Sequence, residues 1–241
     1  MIGKCFFAGV FIVLVSSLCL FSCDNGGELR FREWEEDTVT MLEAVDLGLT
    51  VKWANMNLGA NRRTECGGYY GWGCTEPYAD GEDADWELYF RKIGGGGVSL
   101  EDCGSDLDPL SGYLTSKYGG ISGSSRDAAY MQAGGEWRMP TWDEVKDLDY
   151  YCRWSWTSLD GVMGYKVMNR KDSTNYIFLP AVGYREGTTV RSVGSYAGYW
   201  SGAPHDSIAY YGYGTGFHLN LHFYGYDNRC VGFPIRPVRK K

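Results

Sequence analysis

The amino-acid sequence predicts an α+β domain in which two helices are segregated from antiparallel β-sheets. Two short strands come first, within residues 43–54, and two capped helices follow between residues 125 and 152. After Cys152 the chain contains only strand and turn patterns. Because strands and helices occur in separate blocks, this order favours helices packed on twisted antiparallel sheets over an alternating, parallel α/β fold.

The opening strands are predicted at 43–49 and 51–54, around a glycine turn. A loop-rich insert follows at about 76–122. The glycines at 94–97 precede neither a helix pattern nor a Lys-Ser/Thr pair, so they do not predict a phosphate loop. The acidic side chains at 80–85 lack the regular spacing of a calcium loop and are interpreted as a solvated surface, with calcium left open.

Capping signals define the two helices. Ser125 is predicted to cap a helix over 126–132, with Gly134 at its exit. Thr141 and Glu144 form a capping box at the start of the second helix. Its apolar stripe consists of Trp142, Val145, Leu148 and Cys152.

The rest of the chain is predicted to be strands and turns. Asp160-Gly161 is typical of a tight hairpin turn. The predicted strands are 154–157, 164–168, 176–179, 199–201, 207–213, 217–224 and 232–238.

The N-terminus predicts export and lipidation. Lys4 precedes an apolar run that ends in Leu20-Phe21-Ser22-Cys23, a sequence that resembles a bacterial lipobox. Residues 1–22 are therefore predicted to be a lipoprotein signal peptide, Cys23 the lipidated residue and 23–40 a flexible tether, with the domain at 41–241. Ordinary secretion and a retained anchor remain as alternatives. The expected location is the outer membrane, lipid-anchored and surface-exposed, with the periplasmic face as the alternative.

Charge and cysteine content exclude some partners. The formal net charge is −7, and removal of residues 1–22 deletes one further positive charge, so nucleic acid is not an expected partner. The lipid is the expected contact with the membrane. Five cysteines remain after Cys23, an odd number without CxxC spacing, so the pairing of Cys66, Cys74, Cys103, Cys152 and Cys230 stays open.

Residues 196–226 form the most distinctive segment. It holds seven Tyr, six Gly and all three His, and contains no Lys, Arg or Glu. Tyr provides a large, rigid contact surface, and Ser, Gly and Asn adapt their hydrogen bonds, as in binding loops. Period-2 alternation predicts that Leu219, Leu221 and Phe223 are buried, and that about half of the aromatic side chains are available to a ligand. The predicted contact residues are Tyr196, Tyr199, Tyr210, Tyr211, Tyr213, His218, Asn220, His222, Tyr224, Tyr226, Asp227 and Asn228.

The same interpretation argues against a metal. In one continuous strand, His218 and His222 would lie about 13 Å apart, too far to share a zinc ion. No metal, cofactor or catalytic residue is predicted.

Several longer motifs resemble the Fibrobacter succinogenes major paralogous domain family. The similarity extends over about 43–239 and is carried by 45–54, 69–73, 134–141, 175–185, 198–201 and 232–239. Members are typically secreted or lipid-anchored proteins of Bacteroidetes and related bacteria. The resemblance implies a fold like that of C-type lectins and the formylglycine-generating enzyme, with paired N- and C-terminal strands.

The composition of 196–226 and this resemblance together favour a cell-surface protein that binds an unknown protein or glycan through the Tyr-rich C-terminal face. A further hypothesis is a target protein of a diversity-generating retroelement, whose variable region would be 196–228. A structural adhesin or surface-assembly component is the alternative. Enzyme activity is not expected, because 195–213 lacks the cysteine pair of the related enzymes, and the calcium motifs of lectins are missing.

Overall fold

The computed structural model describes residues 42–93, 120–134, 136–208 and 210–241. The predicted signal peptide, Cys23, the tether, Cys103 and the glycines at 94–97 lie outside these residues. Strands account for most of the regular structure, and three short helices accompany them in the described ranges, which agrees with the predicted α+β class. None of these helices combines the length and the apolar character needed to cross a bilayer.

The chain ends meet in one small sheet. Its strands are β1 (Ala44–Val45), β2 (Val51–Ala54) and β11 (Val238–Lys240), in the order β1-β2-β11. Both pairings are antiparallel, with Val238 opposite Trp53. The predicted pairing of N- and C-terminal strands is therefore present, although β11 begins later than the predicted strand at 232–238.

Three helices occupy the first half of the described chain. Helix α1 spans Trp86–Lys92 within the predicted loop insert, and Asp85 caps it. Helix α2 spans Ala128–Ala133 and is capped by Asp127, so the predicted cap at Ser125 is wrong. Asp127 is fully buried, and it also accepts hydrogen bonds from the backbones of Gly123 and Met139, which fixes it as the cap.

Helix α3 (Trp142–Tyr151) confirms the predicted capping box. Thr141 accepts from the Glu144 backbone, while Glu144 accepts from the Thr141 backbone at 2.8 Å. Glu144 also forms an ion pair with Arg138 at 2.6 Å, and both side chains are largely buried. Burial raises the pKa of the Glu144 carboxyl, but hydrogen bonds from Arg138 and Thr141 outweigh burial, so its pKa lies below the ordinary value.

Replacement of Glu144 by Gln is expected to destabilise the domain by about 2 kcal/mol at neutral pH, because a charged, largely buried hydrogen-bonded pair is lost. Since folding lowers the pKa of Glu144, its contribution is complete above pH 4.5 and disappears as the pH falls through the folded-state pKa. Urea unfolding from pH 7 to pH 3 therefore measures a difference between wild type and E144Q that shrinks with acid. The control D143N removes an exposed carboxylate from the same helical turn. A pH-independent difference for E144Q would contradict this account.

Two further sheets complete the fold. One contains β3 (Cys152–Leu159), β4 (Val162–Asn169) and β5 (Tyr176–Pro180), in that order. The predicted turn at Asp160-Gly161 joins β3 to β4, with both residues at positive φ. The other contains β8 (Tyr196–Pro204), β9 (Tyr211–His218) and β10 (Leu221–Asn228), in the order β10-β9-β8. A separate hairpin joins β6 (Tyr184–Glu186) to β7 (Thr189–Arg191).

The β8–β10 sheet lies between two apolar clusters. Trp200 belongs to a cluster with Trp72 and Phe233, whereas Tyr199 and Phe217 belong to the other. Adjacent residues of a strand point to opposite faces, so Tyr199 and Trp200 reach different clusters. Near β8 the sheet is consequently buried on both faces.

Close packing explains glycines in this sheet. A Cβ atom at 198 would lie 2.6 Å from the Phe233 ring, and one at 212 would lie 2.7 Å from Trp72. Glycine allows the aromatic rings to approach the backbone at these positions. At these two positions, the glycine content of 196–226 therefore reflects packing within the domain rather than adaptability toward a ligand.

Candidate ligand-binding surface

The segment predicted as one strand at 217–224 is a hairpin. β9 ends at His218, and Leu219-Asn220 form the turn before β10 begins at Leu221. Asn220 has φ 66°, a left-handed conformation that Asn tolerates better than most residues. Leu219 and Leu221 are 54% and 48% exposed, so the prediction that both are buried is wrong.

The hairpin also changes the relation between the two histidines. His218 pairs with Leu221, whereas His222 pairs with Phe217. Paired residues share a face and neighbouring pairs alternate, so His218 and His222 lie on opposite faces of the hairpin. The premise of a 13 Å separation along one strand is therefore wrong. Among the described residues, no three potential ligands cluster as a metal site.

One face of the hairpin carries a row of tyrosines. Tyr213 lies opposite Tyr226, and Tyr211 lies opposite Asn228. Because their strand positions differ by two, Tyr211 and Tyr213 project from the same face. The Tyr226 ring is 4.9 Å from that of Tyr211, between ring centroids.

Side chains from three other segments extend this row. His205 stacks on Tyr213 at 4.9 Å, and Trp142 of α3 stacks on Tyr213 at 4.6 Å. At the other end, Tyr210 contacts Tyr211 at 4.6 Å and Trp86 of α1 at 6.4 Å. The continuous set of rings, called the aromatic strip below, consists of Trp86, Tyr210, Tyr211, Tyr226, His205, Tyr213 and Trp142.

Backbone hydrogen bonds fix the central ring of the strip. The His205 Nδ1 atom accepts from the backbone N–H groups of Ser207 and Ile208, at 3.2 and 3.1 Å. A ring nitrogen that accepts hydrogen bonds carries no proton, so the geometry assigns the neutral tautomer protonated at Nε2. Tyr213 adds a bond from its hydroxyl to Asp206 at 3.3 Å, which holds the same loop against the sheet.

The strip is accessible along part of its length. Tyr226 is 54% exposed, and Tyr210, Tyr211 and Tyr213 are half-buried. Tyrosine rings whose hydroxyl groups are accessible to solvent combine apolar area with hydrogen-bonding capacity. Such a surface suits the apolar face of a sugar ring or an aromatic side chain of a protein.

The structure places the other predicted contact residues elsewhere. Tyr199 is 3% exposed, stacks on Phe217 and donates its hydroxyl to the Pro180 carbonyl, so its prediction as a contact residue is wrong. Tyr196 packs against Tyr184 and the core. His218 and Asn220 lie at the exposed hairpin tip. Asp227 lies on the face opposite the tyrosine row, and burial raises its pKa.

A polar group adjoins the strip at helix α3. Tyr224, whose ring lies 5.6 Å from Trp142, donates its hydroxyl to Asp149 at 2.6 Å. Asp149 also contacts the Nδ1 atom of His222, and the His222 ring stacks on Trp154 at 4.6 Å. Burial, followed by the Asp149 carboxylate, raises the pKa of Tyr224. Asp149 is not among the predicted contact residues, and the sequence does not predict this contact.

Asp149, Trp154 and His222 border a cleft of about 410 Å³, which is also lined by Cys152 and Arg170. A cysteine near an Asp–His pair invites comparison with a nucleophile. However, burial raises the pKa of the Cys152 thiol to about 12, and no hydrogen bond joins it to His222 in the described residues. A catalytic cysteine requires a thiolate at working pH, and the raised pKa of Cys152 opposes its formation.

The other cysteines in the described ranges are free thiols. No disulfide joins Cys66, Cys74, Cys152 or Cys230 in the described residues, so none of the open pairings within this group is present. Cys66 packs beside one apolar cluster and Cys74 belongs to the other.

In the acidic insert, Glu82 pairs with Lys92 and Asp85 caps α1.

Trp86, Trp142 and His205 are members of the strip that the predicted contact residues omit. Trp142 is recognisable in sequence only as part of the helical apolar stripe, and Trp86 lies in an acidic stretch without a strong pattern.

Comparison with protein-family models, curated proteins and solved structures yields no match to this chain.

Proposed function

We propose that this protein binds a protein or glycan ligand through the aromatic strip, as a lipid-anchored protein of the outer surface. The supporting observation is the continuous row of rings contributed by β9, β10, two helices and the 205–210 loop. Four of its tyrosines retain solvent access. No Lys, Arg or Glu interrupts residues 196–226, so the ligand is expected to be recognised by stacking and hydroxyl hydrogen bonds.

The proposal includes a C-type-lectin-like fold and membership of the Fibrobacter succinogenes major paralogous domain family. The pairing of β2 with β11 and the packing of α3 against the sheets support it. The lipobox-like sequence ending at Cys23 supports the anchor. The proposed diversity-generating retroelement would have to leave some positions of 196–228 unchanged. Tyr199 and Phe217 lie in this range and are core residues.

The binding proposal is tested with variants of the strip. Full-length Y211A and Y226A are screened beside wild type on a glycan array and against a panel of immobilised surface proteins. For any probe that wild type binds, each variant is expected to lose roughly 30-fold in affinity, because exposed Tyr anchors contribute about 2 kcal/mol. Y151A removes a Tyr that is 62% exposed on α3 outside the strip, and it is expected to bind as wild type does. Equal binding by Y211A, Y226A and Y151A would refute the proposal.

A structural adhesin is the second candidate, and one observation favours it. β10 is an edge strand of its sheet, and eight residues long. Unpaired strand edges recruit further strands from other chains. This function predicts concentration-dependent self-association of the full chain in analytical ultracentrifugation, which a charged side chain on the exposed edge, L221K, would reduce. The strip-binding function predicts no such dependence.

A formylglycine-generating-type enzyme is the least favoured candidate. Burial raises the pKa of each described cysteine thiol to about 12. Thiols in that state are poor nucleophiles near neutral pH.

A further inference from the structure

A basic groove lies on the small sheet that joins the chain ends. It encloses about 460 Å³, and its cationic lining residues are Lys52, Arg138, Arg239, Lys240 and Lys241. The chain as a whole has a formal net charge of −7, so this concentration of positive charge is local. A cationic patch on an acidic protein directs anions to one place.

Two of the cations face each other directly. Lys52 of β2 is the register partner of Arg239 in β11. Side chains of such a pair project from the same sheet face with Cβ atoms about 5 Å apart, and like charges in this arrangement destabilise a sheet. An anion seated between them would relieve that repulsion.

The groove keeps a net positive charge after its ion pairs are taken into account. Arg138 pairs with Glu144, Lys241 pairs with Asp46, and Arg239 pairs with Glu136 at 3.0 Å. Arg239 also lies over the Trp137 ring, 5.3 Å from its centroid, which orients the guanidinium. Within the described residues, neither Lys52 nor Lys240 has an ion-pair partner.

An exposed amphipathic side chain borders the groove. Tyr130 of α2 lines it and is 38% exposed. Tyr beside Lys and Arg is typical of surfaces that sit at the boundary between headgroups and acyl chains. β1, where the chain enters the described domain, belongs to the same sheet. The predicted lipidation site at Cys23 precedes β1 in the sequence, and in this respect the inference rests on the proposed lipid anchor.

We propose that this groove docks the domain on an anionic membrane surface by binding lipid phosphate groups. Lys52 and Lys240 supply the unpaired charges, Arg239 supplies an oriented guanidinium, and Tyr130 contacts the interfacial region. The contact is independent of the aromatic strip. It would hold the domain in one orientation on the bilayer, where a lipid tether alone would leave it free to rotate.

The test measures binding of the full-length chain to vesicles. Wild type is mixed with vesicles of phosphatidylcholine alone, or of phosphatidylcholine with phosphatidylglycerol, and bound protein is separated by flotation. The K52Q/K240Q double variant removes the two unpaired charges. K146Q/K171Q removes two charges outside the groove, one from the exposed Lys171 and one from the half-buried Lys146, which pairs with Asp143. The N-terminal apolar segment is identical in all three proteins, and thermal unfolding checks that each is folded.

Wild type is expected to bind the phosphatidylglycerol vesicles more tightly than the neutral ones, with a preference that falls as salt rises. Each groove lysine is expected to raise the affinity for phosphatidylglycerol vesicles about fivefold, so K52Q/K240Q loses most of the preference. K146Q/K171Q should retain it. Equal losses in both double variants, or none in K52Q/K240Q, would overturn the proposal. Binding of inorganic phosphate that K52Q/K240Q abolishes, together with no preference of wild type for the phosphatidylglycerol vesicles, would also overturn it, in favour of a site for a free anion.

Discussion

Replacement of Arg236 by Met is expected to destabilise the domain by about 5 kcal/mol. Arg236 is 1% exposed and donates to Asn57 Oδ1, the Ala54 carbonyl and the Phe178 carbonyl, at 2.9, 3.1 and 2.7 Å. Ala54 ends β2 and Phe178 lies in β5, so one guanidinium links two sheets. Met fills much of the space but removes the donor of three buried hydrogen bonds, and each bond to a charged group contributes about 1.5–3 kcal/mol.

Arg236 remains charged despite its surroundings. Burial lowers its pKa to about 10, which is still well above neutrality. A loss of about 5 kcal/mol approaches the whole stability of many domains, so R236M should show a large drop in its urea midpoint or fail to accumulate as folded protein. R236K keeps the charge but replaces the planar guanidinium and its several N–H donors with a compact ammonium. It should fold with intermediate stability.

Arg239, three positions further on, provides the matched control. Its side chain is 35% exposed and pairs with an exposed carboxylate of Glu136. R239M is therefore expected to lose less than about 1 kcal/mol. If R236M and R239M had equal urea midpoints, the buried guanidinium would not be the link between the sheets.

Local signals in the sequence are sufficient where the contacts are local. The capping box of Thr141 and Glu144 lies within four residues, and Asp160-Gly161 has the positive φ angles that a tight hairpin demands. Both predictions are confirmed. The order of strands and helices is likewise visible, because it depends on the periodicity of each segment.

Helix α2 shows why some boundaries are not predictable. Ser125 and Asp127 are comparable caps by intrinsic preference, so local ranking cannot choose between them. The choice depends on the Met139 backbone, which donates to the buried Asp127 carboxylate. That contact exists only after the chain has folded.

The aromatic strip has the same dependence on tertiary structure. Its tyrosines are conspicuous in composition, yet Trp86 and Trp142 come from helices far away in the sequence. The register of β9 with β10 decides which tyrosines share a face. Composition therefore identifies the segment, whereas the pairing of β9 with β10 decides which of its tyrosines belong to the aromatic strip.

The hairpin turn is the clearest failure of the period-2 pattern. Leu219, Leu221 and Phe223 alternate with polar residues as a buried strand would, but Asn220 turns the chain between them. A turn that preserves the alternation on both sides is invisible to periodicity alone. The burial of neighbouring residues therefore differs from the prediction in a way that mutation can measure.

Replacement of Phe217 by Ala is expected to cost about 3–5 kcal/mol, the usual range for a buried aromatic side chain. Phe217 is fully buried where two sheets meet. Its ring lies 5.3 Å from that of Tyr165 in β4 and 5.9 Å from that of Tyr199 in β8. Ala would leave a cavity lined by large rings that cannot collapse into it.

Leu219 is the matched control, two residues along the chain. As an exposed turn residue it should tolerate Ala with a loss below about 0.5 kcal/mol, measured by urea unfolding beside F217A. A continuous strand would instead bury Leu219, and L219A would then cost about 2–5 kcal/mol. A large loss for L219A would contradict the hairpin, and with it the register that brings Tyr213 opposite Tyr226. The stability of one exposed leucine thus tests the geometry on which the aromatic strip depends.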